Sequence, residues 1–324
     1  MMRIPKTLLE SQTLLIDSCI LFDSDLPEQI FYANAYENLD WKELKKAQKK
    51  LDDALSFLEK DFYITPGVLD EFGYLQEIIS EKLRFCNKAL NFFESRDPPK
   101  RHLKLKKKGP ISKRTEGYWK MAEEKTTYGR KREKKQMLDE IGLRLLELKK
   151  GLRDKVIKPE NKEAYELIYE VVEKIFSDPW EELFEHRADK ELIAFTLYLP
   201  LEGKSPDLVS ADAGLGINLK RCYRFLRWHR GPKLLAFFTE VYQKHPFRFW
   251  QVNREERLVK LAFQAGRKMP EERPGLSRKT EKYLEKKLIR LYESYRDRLG
   301  WKAEESYRGI HPEQGEKRIG PLYR

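Results

Sequence analysis

Four carboxylates stand where this chain could do chemistry. Asp17 lies within a short apolar run, residues 13–21 (TLLIDSCIL), where it ends the strand pattern, and Asp212 follows another, 207–211 (DLVSA), while Glu71 and Asp189 fall in the first turns of two helical patterns. Open α/β sheets bind their ligands at the carboxyl ends of the strands, so strand-end acids matter. Gathered in one cleft, four carboxylates are intolerable unless protonated or bound to cations. Oxygen-only ligands suit Mg²⁺ or Mn²⁺ rather than zinc. Such an ion lowers the pKa of a water, sets it in line with a phosphorus atom and neutralises charge as the 3′ oxygen leaves. Nothing competes with this chemistry. There is no Ser/His/Asp or Cys/His arrangement, no P-loop and no GxGxxG; Cys19, Cys86 and Cys222 lack CxxC spacing, and the five histidines form no HExxH pair.

Each acid also has a plainer reading. Asp189 at the head of a helix reads as an N-cap. Asp212, two residues before Gly214, reads as a turn residue. Asp17 is harder to dismiss, because a charge inside Leu-Leu-Ile-x-x-Cys-Ile-Leu must be paired or bound. Ser210, two residues before Asp212, is placed to hydrogen-bond a neighbouring carboxylate or a bound water, whereas Ser18 reads as a small residue at a strand end.

The elements that must position these groups alternate along the chain. After the first strand, residues 41–60 repeat apolar positions at helical spacing through Leu44, Ala47, Leu51, Leu55 and Leu58. Residues 61–65 (DFYIT) form a second strand candidate, and Thr65-Pro66 supplies an N-cap with proline at the first helical position. That helix runs to about Phe93, followed by DPPK at 97–100. Helical patterns resume at about 136–152 and 160–176, and SDPWEELFEH at 177–186 starts another turn. An apolar helix opens at Asp189, and 246–252 (PFRFWQV) is a further strand candidate. Residues 276–300 form a charged amphipathic helix, and the last two dozen have little periodicity. Strands alternating with helices predict a parallel sheet with helices on both faces.

Charge is distributed unevenly. The chain carries 65 Lys/Arg against 53 Asp/Glu, a net +12. Residues 96–135 hold 16 against 5, and residues 213–324 hold 27 against 13; the remainder is acidic, with 22 against 35. An acidic body with basic appendages attracts polyphosphate through Coulomb steering and counterion release, but needs a cation where phosphate meets its acids. Lys106, Lys107, Lys108, Arg114, Arg130, Lys131 and Arg132 surround Trp119 in the first basic run, an arrangement in which aromatics stack bases while cations hold phosphates. Lys220, Arg221 and Arg224 begin the second. A solvated linker is the plainer reading of such a run. No apolar run approaches the roughly 18 residues of a membrane span, and the amino terminus lacks a secretory layout, so a soluble, reduced, cytoplasmic protein without membrane contact is expected.

Four blocks together resemble the PIN-domain nucleases. Residues 15–21 (LIDSCIL) are similar to their opening strand, 65–72 (TPGVLDEF) to a Pro-led helix carrying an acid, 188–194 (ADKELIA) to an Asp-opened apolar helix, and 208–212 (LVSAD) to a strand ending in Ser-x-Asp. The resemblance covers residues 1 to about 230. It implies a three-layer α/β/α PIN-like domain with a parallel central sheet, a basic helical insertion at about 96–160, and a mainly helical basic extension over 231–324. It further implies Mg²⁺ or Mn²⁺ at Asp17, Glu71, Asp189 and Asp212, and endonucleolytic cleavage, usually of RNA, to 5′-phosphate and 3′-hydroxyl ends. The spacings from Asp17 to Glu71 and from Glu71 to Asp189 exceed those of compact members. Asp70 rivals Glu71, and Glu182, Glu185 and Glu191 rival Asp189. The added basic segments fit a nuclease working with RNA or with a ribonucleoprotein partner. A non-cleaving RNA-binding scaffold and a DNA-directed flap-type nuclease are the alternatives.

Overall fold

The computed structural model describes residues 13–21, 41–95, 133, 135–176, 187–227, 232–252, 258–261 and 276–298. In chain order the described elements are β1 (Leu14–Ile16), α1 (Ser18–Leu21), α2 (Trp41–Phe57), α3 (Pro66–Ser95), α4 (135–152), α5 (Lys162–Phe176), α6 (Arg187–Tyr198), β2 (Asp207–Ser210), α7 (Ala213–Arg227), α8 (Pro232–Lys244), β3 (Arg248–Val252), β4 (Leu258–Leu261) and α9 (Arg278–Arg298). Short 3-10 turns occupy Arg153–Lys155 and Leu199–Glu202. The basic residues Lys106, Lys107, Lys108, Arg114, Trp119, Arg130, Lys131 and Arg132 lie outside the described residues, as do 177–186 with Glu182 and Glu185, and the carboxyl-terminal two dozen.

The chain forms two compact units, Leu21–Glu59 with Asp70–Asp154, and Met2–Ile20 with Lys60–Leu69 and Lys155–Arg324, each taken over its described residues. The first unit is helical. Buried Leu44, Ala47, Leu51 and Ala54 give α2 one apolar stripe, and Leu138, Ile141, Leu145, Leu148 and Leu152 give α4 another. Gln48 and Arg144 fix their relative direction: Gln48 Nε2 donates to Glu140 at 2.6 Å and Arg144 Nε to Asp52 at 2.6 Å, so the two helices run parallel.

The second unit is an α/β fold around a small sheet. β1 pairs parallel with β2, β2 pairs parallel with β3, and β4 closes the far edge antiparallel to β3. On the other side of β1, Tyr63 makes a parallel bridge to Leu15, and Ile64 makes one to Val156. Residues 61–65 therefore join the sheet as expected, through isolated bridges instead of a full strand. Moving outward from β1, the chain adds 63–64 and then 156 on one side, and β2 and β3 on the other. Helix α6 is buried on every side from Glu191 to Tyr198 and packs on β2, while α5 covers α6 through the Tyr165–Phe195 ring contact at 4.3 Å. Gly203 adopts φ 78° at the end of the 3-10 turn, a left-handed conformation that turns the chain toward β2.

Helix α3 starts as its sequence requires. The Val68 amide donates to Thr65 Oγ1 at 3.3 Å, with Pro66 at the first position. A second acceptor comes from α6: the Gly67 amide donates to Glu191 Oε2 at 2.6 Å. Among the described residues no helix is long and apolar enough to cross a membrane.

Candidate functional site

β1 ends at Ile16 and delivers Asp17; β2 ends at Ser210, two residues before Asp212. Because these strands are parallel neighbours, both acids leave the same edge of the sheet. This edge is also where the strand order reverses direction about β1, the position at which open α/β sheets bind ligands.

Ser210 joins the two acids. Its side chain is fully buried; its hydroxyl donates to Asp17 Oδ2 at 2.6 Å and accepts the Asp212 amide hydrogen at 2.9 Å. Cys19 adds to the same carboxylate oxygen, its thiol lying 2.9 Å from Asp17 Oδ2 while its sulfur accepts the Ala211 amide hydrogen at 3.1 Å. Ser18 donates to Asp17 Oδ1 at 3.3 Å, so it does more than fill space at a strand end. Burial first, then the Asp17 charge and its hydrogen bond, push the Cys19 thiol well above the ordinary thiol range; the bonds to Ser210 and Ala211 act the other way. Cys19 is therefore a protonated donor at neutral pH.

Asp17 is 5% exposed, and among the described residues every side-chain donor to it is neutral. The opposite edge of the sheet shows how this unit treats another buried acid. Asp207, fully buried, accepts Arg248 Nε and Nη2 at 2.6 Å each and Trp250 Nε1 at 2.8 Å. A guanidinium fork neutralises Asp207; no cation pairs with Asp17 among the described residues.

Asp212 is exposed and caps α7: its Oδ1 accepts the Gly214 amide at 2.7 Å and its Oδ2 the Leu215 amide at 3.3 Å. Its plainer reading as a turn residue is thus replaced by a contact of another kind, a cap on the helix that follows. Asp189 lies half-buried in the first turn of α6, whose first residue is Arg187. Its neighbour Glu191 is the buried acid of that helix, holding Gly67 through one oxygen and Arg187 Nε, at 2.8 Å, through the other. Glu71 is exposed on α3, in the stretch that belongs to the helical unit. Lys220, Arg221 and Arg224 share one side of α7, where Lys220 and Arg221 are exposed and Arg224 is half-buried. Desolvation lowers the Arg224 pKa from its usual value, and no carboxylate pairs with these three among the described residues.

Asp17 and Asp212 are thus linked by Ser210 within one unit. Among the described residues no group of three or more His, Cys, Asp or Glu side chains is arranged to hold a metal. Mg²⁺ takes one or two protein carboxylates and keeps several waters, so an all-oxygen pair of this kind is the donor set such an ion would accept. Cys19 was not among the sequence candidates; its only signal is its place two residues beyond a strand-end Asp. Family models, curated proteins and solved structures were all compared with this chain, and none matches it.

Proposed function

We propose that this chain is a Mg²⁺- or Mn²⁺-dependent endoribonuclease built on a three-layer PIN-like α/β/α fold. The observation that supports it best is the Asp17–Ser210–Asp212 linkage at the carboxyl edge of two parallel strands, with Asp17 buried and, among the described residues, met by neutral donors only. A buried carboxylate lacking a cationic partner has a place for a divalent ion. In this reading Asp17 and Asp212 hold the ion, and Asp189, in the same unit, helps to hold it or to position water. Ser210 and Cys19 keep the Asp17 carboxylate oriented through their hydrogen bonds. When bound, the ion supplies an activated water and neutralises charge on the phosphate. Lys220, Arg221 and Arg224 on α7, together with the basic run at 100–135, hold the RNA backbone.

One observation favours the second reading, a non-cleaving RNA-binding scaffold: both Asp212 oxygens already accept amide hydrogens of α7. Incubation of the pure protein with labelled single-stranded RNA and matching DNA, with Mn²⁺ or with EDTA, separates the readings. The nuclease reading expects Mn²⁺-dependent RNA cleavage that disappears in Asp17→Asn and Asp212→Asn. Binding without cleavage by the wild type supports the scaffold, DNA-selective cleavage supports a flap-type enzyme, and cleavage surviving Asp17→Asn sinks the assignment.

A further inference from the structure

Helix α9 shows two unlike faces. Leu284, Leu288, Leu291, Tyr292 and Tyr295 are buried, with Tyr295 hydrogen-bonded to Glu202 and the Tyr292 ring against Phe237 at 5.5 Å, and the exposed Tyr283 adds a hydrogen bond to Glu170 at the flank of the helix. Lys279, Lys282, Lys286 and Arg290 recur at intervals of three and four residues, so they form one stripe along the opposite face. All four are exposed, and none has a carboxylate partner among the described residues. Elsewhere in this unit Lys162, Lys204, Lys244 and Lys287 each meet a glutamate within 3.6 Å. The stripe ends at Glu293, one turn beyond Arg290.

We propose that this stripe is a second polyphosphate-binding surface, separate from the Asp17–Asp212 pair, that takes the sugar-phosphate backbone of single-stranded RNA. The four cations span about 16 Å at a rise of about 1.5 Å per residue. They stand on a helix already anchored by its apolar face, so binding phosphate orders little beyond the side chains themselves. An anionic membrane is the other polyanion of this charge, but membrane-surface helices bury their apolar face in lipid, and here that face is buried in the protein. The proposal rests on the reading of RNA as the ligand and is independent of cleavage.

The test measures RNA affinity against salt in EDTA, with full-length wild type and two variants of equal charge loss. One variant is Lys279→Gln/Lys282→Gln/Lys286→Gln/Arg290→Gln, on the stripe; the other is Lys162→Gln/Lys204→Gln/Lys244→Gln/Lys287→Gln, at paired lysines. Each phosphate contact contributes about 0.7 to the slope of log affinity on log salt for single strands. The stripe variant should lose about 3 from that slope and bind at least tenfold more weakly in dilute salt, with unchanged helix content by circular dichroism. The paired-lysine variant should lose less than about 0.7. Equal losses in both variants would show diffuse charge and overturn the stripe. An unchanged slope in the stripe variant, with wild type still binding RNA, overturns this proposal alone. No RNA binding by wild type overturns both this and the nuclease reading. Stripe-dependent capture by phosphatidylserine vesicles with an unchanged RNA slope assigns the surface to membrane and overturns the proposal.

Discussion

Ser210 and Asp17, 193 residues apart, meet through a 2.6 Å hydrogen bond that ties together the carboxyl ends of two parallel strands. The same hydroxyl accepts the Asp212 amide, so one side chain sets both acids. Ser210→Ala removes a buried donor to a carboxylate and leaves an amide without its acceptor. The expected loss is about 1–3 kcal/mol in urea unfolding, as a lower midpoint at constant slope. In the nuclease reading the variant also loses cleavage. A midpoint equal to wild type would mean the bond contributes nothing.

Alkali should destabilise the fold through two thiols, half-buried Cys19 and buried Cys222. Cys19 and Cys222 both have pKa values raised above the ordinary 9.0, chiefly by burial. Their stabilising contribution is complete below that value. Above it the unfolded chain loses thiol protons that the folded chain keeps, so stability falls as pH rises, by about 1.4 kcal/mol per pH unit for each thiol. Tyr165 and Tyr198, raised above 10.0, add to the fall at still higher pH. Urea unfolding at pH 8, 9 and 10 should show this decline, and Cys222→Ala should flatten it; identical slopes for variant and wild type would contradict the account.

Gly67 is fixed by what surrounds it. A Cβ there would lie 2.7 Å from Ala188 Cα and 2.8 Å from Ala188 N, backbone atoms that cannot swing aside. Gly67→Ala should therefore cost about 1–3 kcal/mol, seen as a lower melting temperature. Glu191→Gln, which keeps the shape and an acceptor for the Gly67 amide, should cost less. The reverse ranking would place the constraint in the Glu191 charge instead of the close approach.

Asp207→Asn breaks the fork with Arg248 across the β2–β3 pair. Removing one partner of a buried pair typically costs about 3–5 kcal/mol. Arg248 is 42% exposed, which lowers the expectation to about 2 kcal/mol. Trp250 fluorescence reports locally, since its indole donates to the same carboxylate. Neither a stability loss nor an emission change would remove Asp207 from the account.

Much of the fold was legible because local signals were strong. The apolar runs before Asp17 and Asp212 fold as β1 and β2, Thr65-Pro66 starts α3, and the periodicities at about 136–152 and 160–176 become α4 and α5. Strand β4 was not legible, being four residues (LVKL) straight after the charged run NREER at 253–257. The pairing of Asp207 with Arg248 was hidden because it joins residues 41 apart through strand register. At the site, the strand-end position of Asp17 and Asp212 could be read from pattern, and so could the role of Ser210. The Cys19 contact could not, since it depends on the turn of α1 folding the thiol back onto Asp17. Glu191, one rival to Asp189, is selected as the buried acid only by packing against Gly67.

A Mn²⁺ titration followed by electron paramagnetic resonance, with wild type, Asp17→Asn and Asp212→Asn, asks whether the two acids share an ion. Wild type should show a saturable site that weakens at least tenfold in each variant, with no change in fold by circular dichroism. Equal Mn²⁺ affinity in all three proteins, or no saturable site in the wild type, would mean that they do not.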